Sequence, residues 1–176
     1  MSGRPVLQST FEYRIWKSLE SHTFPKGGVA QLVNDVSSHE GRMNATVLSM
    51  LLEEMKRSGL ANATSIRTVV SKSRSTDCLP SVAGSRIMLE KGDADGAEAI
   101  LDMSESSQEN VRRNIARAEI RMMRGDRPGA AAAARAAHGY DPSCREAYDL
   151  LKMLEPEAGW GQRENLQEVL EGGRPS

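Results

Sequence analysis

The sequence predicts a mainly α-helical protein in two parts: three helices with a small β-hairpin, then a set of helical hairpins. Three observations lead there. Aromatic residues are only 4% of a chain that is 39% hydrophobic. The core is therefore built from Leu, Val, Ile, Met and Ala, a mixture that favours helices over a β-sandwich. In the first part, apolar residues recur at three- and four-residue spacings. In the second, two segments match each other at an offset of 33 residues, the mark of a repeated supersecondary unit.

The elements follow in order. Phe11, Ile15, Trp16 and Leu19 lie on one face of a helix over Ser9–Ser21, capped by Ser9 or Thr10 with Glu12 in the first turn. HTFPKGG stops it, and a short second helix carries Val29, Leu32, Val33 and Val36. After the polar loop Ser37–Met43, a third helix runs from Asn44, a good N-cap, to Ser58. Its apolar face is Val47, Leu48, Leu51, Leu52 and Met55, and Gly59 then supplies the left-handed stop. Beyond it, Asn62 and Ser65 bracket a turn, and Ile66, Thr68 and Val70 alternate with Arg67 and Val69 as in a strand.

Helix, helix, helix and hairpin in this order resemble the winged-helix variant of the helix-turn-helix family. VAQLVNDV stands as the positioning helix and VLSMLLEEMKRSGL as the recognition helix, with Leu48, Leu52, Met55, Gly59 and Leu60 on the family's spacing. The resemblance covers residues 9–71 and implies a wing over Ala61–Val70. It also implies duplex DNA as a partner, read by side chains near the start of the recognition helix. Those are Arg42, Asn44, Thr46, Ser49 and Met50, with Arg67, Lys72 and Arg74 placed for phosphate. Charge agrees. Residues 1–76 carry ten Lys/Arg against six Asp/Glu, while the remainder carries thirteen against eighteen. Residues 55–76 hold Lys56, Arg57, Arg67, Lys72 and Arg74 and no acid.

The polar stretch SKSRSTDCLP reads as a linker, giving a domain over 1–71, a linker over 72–80 and a second domain over 81–176. In the second domain, SRIMLEKGDADGAEAIL from Ser85 aligns with AEIRMMRGDRPGAAAAA from Ala118, matching Gly92-Asp93 to Gly125-Asp126 and Ala97 to Ala130. With its small residues at Ser85 and Ala118, at Ala97 and Ser104, and at Ala130 and Ala137, and with Pro142 closing the second unit, this part resembles the tetratricopeptide repeat family. It departs from that family at Glu109, where the closing Pro would stand, and in lacking large aromatics in the first helices. SCREAYDLLKMLE begins a degenerate third unit, and Arg163–Glu171 a last helix with Leu166, Val169 and Leu170, together capping the repeats.

The resemblance implies a protein or peptide partner. Arg113, Arg117, Arg121 and Arg124, at spacings of four, four and three, form a positive stripe suited to an acidic peptide or a terminal carboxylate. Self-association into a homodimer is the other use of such a surface. No catalytic motif accompanies these features. His22, His39 and His138 lie in different elements without metal-ligand spacing, and neither GxSxG nor a phosphate loop is present. The sequence therefore predicts no enzyme, no metal site and no cofactor. Cys78 and Cys144 stand far apart, outside any CxxC, so no disulfide framework is expected. With no apolar run near the roughly 20 residues of a membrane span and no signal-peptide pattern at its start, the chain reads as cytoplasmic. The expectation is a DNA-binding transcriptional regulator or adaptor with a helical-repeat interaction module. Its alternative is a scaffold that binds no DNA and uses the winged helix for docking or dimerisation.

Overall fold

Ser9 caps the first helix: its Oγ accepts from the Glu12 N–H at 3.1 Å. The computed structural model describes residues 5–74, 77–104 and 110–160. Helix α1 spans Thr10–Ser21 and buries Ile15, Leu19 and also Glu12. Helix α2, Gly28–Ser38, buries Val29, Leu32 and Val36. Helix α3, Ala45–Arg57, starts where Asn44 Oδ1 accepts from the N–H groups of Thr46 and Val47 at 2.9 and 3.3 Å. Its Val47, Leu48, Leu51, Leu52 and Met55 are wholly buried, and α1 and α2 pack against it.

The expected wing is absent, and this corrects the predicted fold. Residues Ala63–Val70 form helix α4, and no β-strand occurs among the described residues. The cause is local. Asn62 and Ser65, which look like the brackets of a turn, form a capping box. Asn62 Oδ1 accepts from Ser65 N–H at 2.9 Å, and Ser65 Oγ accepts from Asn62 N–H at 3.0 Å. The buried face is Ile66, Val69 and Val70, at helical spacing, not the alternation Ile66, Thr68, Val70. All that resembles a sheet among the described residues is an isolated bridge between Met43 and Ser73, where Met43 N–H donates to the Lys72 carbonyl at 2.8 Å.

The 33-residue self-similarity falls on two helical hairpins. Helices α5 (Leu79–Glu90) and α6 (Ala94–Leu101) make the first, α7 (Val111–Met123) and α8 (Arg127–Tyr140) the second. Their turns are built alike. Gly92 and Gly125 take φ of 79° and 76°, the left-handed conformation glycine tolerates best. Each donates back to the ending helix, to Leu89 and Met122, and the next residue, Asp93 or Asp126, donates to Met88 or Arg121. The same aspartate caps the following helix, its Oδ1 accepting from Gly96 or Gly129 N–H at 2.8 and 2.9 Å. One residue thus closes one helix and opens the next. Asp126→Ala should lower stability by about 1 kcal/mol, the ordinary worth of an N-cap, and Asp93→Ala likewise. Urea unfolding would check both, and an unchanged midpoint would mean that the turns hold without their caps.

The chain forms two compact units, residues 1–108 and 109–176. In the first, α5 packs on α3 and α4, and α6 on α5 and α4. Residues 72–74 and 77–80 lie within this unit, together with the first hairpin. In the second, α8 lies between α7 and α9 (Arg145–Leu154), with a 3-10 turn at Pro156–Ala158. Its core joins Ala118, Ala130, Ala131, Ala133 and Ala134 to Tyr148, Leu151, Leu154 and Trp160. Tyr148 donates its hydroxyl to the Trp160 carbonyl at 2.8 Å. The anticipated last helix at 163–171, residues 75 and 76 of the polar segment, and Glu109 lie outside the described residues. No helix among the described residues is long and apolar enough to cross a membrane.

Candidate functional site

Of the residues expected to read DNA, Arg42 and Lys72 hold the loop before α3 against the segment after α4. Arg42 donates through Nη1 to the carbonyls of Ser71 and Ser73, at 2.5 and 3.3 Å. Lys72 Nζ donates to the His39 carbonyl at 2.7 Å. Asn44 caps α3 with its oxygen and donates its amide N–H to the Val6 carbonyl at 3.2 Å. Ser49 is half-buried and donates to the Ala45 carbonyl of its own helix at 2.9 Å. Met50 lines a groove with Leu19, His22 and the acids Glu20, Glu53 and Glu54. Thr46 and Arg67 remain exposed, Arg67 in the last turn of α4.

Arg74 is the most deeply engaged. Its Nη2 lies 2.6 Å from Glu12 Oε1, joining positions 62 residues apart, and the Glu12 side chain is 2% exposed. The other Glu12 oxygen accepts from Gln8 N–H at 3.1 Å. A carboxylate this deep needs its cation. Arg74→Met should therefore cost about 2–3 kcal/mol, below the full penalty of a buried pair because Arg74 itself is partly solvated. Chemical denaturation measures this, and a change under 0.5 kcal/mol would show that Glu12 is sufficiently held by Gln8 and water.

Three of the five cations in the basic stretch 55–76 have acid partners. Lys56 pairs with Glu90 at 2.7 Å, a hydrogen bond that holds the ammonium above its usual pKa. Arg57 pairs with Glu54 at 3.2 Å, and Glu54 also meets His22 Nδ1 at 3.1 Å. Together with Arg74 on Glu12, these pairs match three of the five cations to acids, while Lys72 bonds a carbonyl and Arg67 stays exposed.

The arginine stripe of α7 is likewise built into its unit. Arg113 is buried at 9% exposure, Arg117 and Arg121 are half-buried, and Arg124 is exposed. Arg121 pairs with Asp126 at 3.3 Å, beside the turn that Asp126 caps. All four already have interaction partners within the protein. Sequence reasoning missed two features near these sites. One is Glu12 as the partner of Arg74, for which no local signal exists. The other is the pair of exposed methionines, Met123 and Met153, at 45% and 49% exposure. Both lie at one end of the second unit, because Arg127 at the start of α8 donates to the carbonyls of Met153 and Leu154.

Fold and sites together describe a chain that is helical over its described residues, with a duplicated hairpin and with Arg42, Lys72 and Arg74 engaged within the fold. Comparison with known proteins adds no relative: no protein-family model, no curated protein and no solved structure matches the chain.

Proposed function

We propose that the chain is a protein-interaction module built on tetratricopeptide-like hairpins, acting without DNA and without catalysis. The observation that carries this reading is the duplicated hairpin, with the same Gly-Asp turn made twice from segments 33 residues apart. Helical hairpins of this kind present side chains from successive helices to peptides and partner proteins. In the second unit, the flexible thioethers of Met123 and Met153 stand beside Arg124 and Arg127, a composition common in protein contacts. The engagement of Arg42, Asn44, Lys72 and Arg74 within the fold supports the same choice over a DNA reader.

Two titrations test it. A displayed peptide library selected on the full chain should yield ligands whose affinity falls at least about tenfold in Met123→Glu or Met153→Glu, the loss of one interface anchor. Duplex DNA should show no binding at about 50 mM salt, where phosphate contacts are strong. Salt-dependent duplex binding that weakens in Arg67→Ala would overturn the proposal and restore the DNA reading.

A further inference from the structure

We propose that a cleft of about 290 Å³ in the first unit, between the junction described above and the start of α5, binds a small zwitterion of the α-amino-acid class. Its charged lining is Arg42, Arg74 and Asp77; Ser73 and Ser81 add hydroxyls, and Met103, with Val70, gives an apolar wall.

Charge selects the ligand. Arg74 is neutralised by Glu12, so this pair presents a polar wall without net charge. Among the described residues, Arg42 bonds neutral carbonyls alone, and through Nη1. These contacts fix the guanidinium plane while its Nη2 and Nε make no bond among the described residues. Asp77 uses Oδ1 to accept from Leu79 N–H at 2.9 Å, and Oδ2 makes no bond among the described residues. Among the described residues, the cleft therefore offers one cation and one anion that no opposite charge pairs. A simple anion would be drawn to Arg42 and repelled by Asp77, and a simple cation the reverse. A molecule carrying a carboxylate and an ammonium answers both, the carboxylate taking the fork of Arg42 and the ammonium donating to Asp77.

The Ser73 hydroxyl fits the same ligand. Ser81 Oγ donates to the Cys78 carbonyl at 2.8 Å, and Ser73 Oγ donates to the Arg74 carbonyl at 3.2 Å. Ser73, half-buried, keeps lone pairs that can accept from an ammonium, while Ser81, at 2% exposure, only shapes the wall. The volume is at the lower limit of ligand pockets, which run about 300–1,000 Å³. That size suits a free amino acid better than a nucleotide or a peptide. Val70 and Met103 favour an aliphatic or thioether side chain over a charged one.

The test is thermal unfolding of the full chain with individual free amino acids at about 10 mM, since a ligand that binds only the folded state raises its stability by mass action. At least one aliphatic or sulfur-containing amino acid should raise Tm by a few degrees. Its N-acetyl derivative and its methyl ester should not, because each lacks one of the two charges. Asp77→Asn and Met103→Trp, which remove the anion and fill the cleft, should abolish the shift. Arg42→Lys keeps a donor for Ser71 and should weaken binding at least about tenfold, since an ammonium lacks the planar fork. Loss of the shift in Met103→Trp with unchanged Tm of the free protein would place the ligand here independently of Arg42's structural bonds. Equal stabilisation by the blocked derivatives or by inorganic phosphate would overturn the zwitterion assignment, as would no stabilisation by any standard amino acid.

Discussion

Gly84→Leu is expected to destabilise the first unit by roughly 3 kcal/mol or more, through overpacking in a core that cannot yield. Gly84 lies within α5, where its backbone faces α4 and α6. A Cβ added there would sit 2.7 Å from Ile66 Cγ2, 3.0 Å from Ile100 Cγ2 and 3.4 Å from Val70 Cγ2. All three neighbours are β-branched, so their χ1 angles resist rotation. Ile66 and Ile100 are themselves wholly buried, with no free volume to move into. Gly84→Ala sets two effects against each other. Alanine gains about 1 kcal/mol of helix propensity, while the methyl group must displace Ile66. The contact distance decides for a net loss. Gly139 in α8 provides the contrast, because a Cβ there meets nothing within 4 Å. Gly139→Ala should stabilise by a few tenths of a kcal/mol. Equal effects of alanine at positions 84 and 139 would mean that the close approach of α5 to its neighbours does not hold in solution.

Such crossings are only partly legible in a sequence. Signals confined to a few residues translate well into structure. Asn44 caps α3, and the Gly-Asp pairs at 92 and 125 make the hairpin turns. Each is satisfied by hydrogen bonds within about one helical turn, so the local sequence contains the whole cause. Helix α4 shows the limit. Ile66, Thr68, Val69 and Val70 have strand-forming side chains, yet the Asn62–Ser65 box and burial on helical spacing outweigh that preference. Both readings use the same residues, and tertiary contact with α5 and α6 selects one of them.

The candidate sites were less legible for a related reason. Spacing along the chain reveals which charges are neighbours on a helix, but not which distant charges meet. Arg74 meets Glu12 across 62 residues and Lys56 meets Glu90 across 34, so a stretch without acids in sequence is partly balanced in space. Helix α7 adds a second difficulty. It buries Ile115 and Ala118 as an amphipathic helix should, but also Arg113, Ala116 and Ile120 on another side. A helix covered on two sides buries members of a charged stripe that periodicity alone assigns to solvent.

Ala130→Arg should produce the largest loss in the second unit, roughly 3–5 kcal/mol. Ala130 is wholly buried, and its cluster includes Ala118 of α7 as well as Tyr148, Leu151 and Trp160. The small side chains of α8 let the neighbouring backbones come close, so the space holds a methyl group and little more. An arginine there must either displace α7 from α8 or leave its guanidinium buried away from water. The first route loses the apolar contacts of the alanines, and the second leaves a charge without a compensating acid. Ala132, on the same helix but exposed, is the internal control. Ala132→Arg should change stability by no more than about 0.5 kcal/mol. The buried Trp160 provides the optical reporter, and replacing Trp16 by Phe removes the other indole without touching this unit. Urea unfolding followed by Trp160 fluorescence then reads the second unit directly. If Ala130→Arg and Ala132→Arg unfold at the same urea concentration, the alanine face of α8 is not the packed surface of the unit. The hairpin would then have to be held by α9 alone, through Tyr148, Leu151 and Leu154.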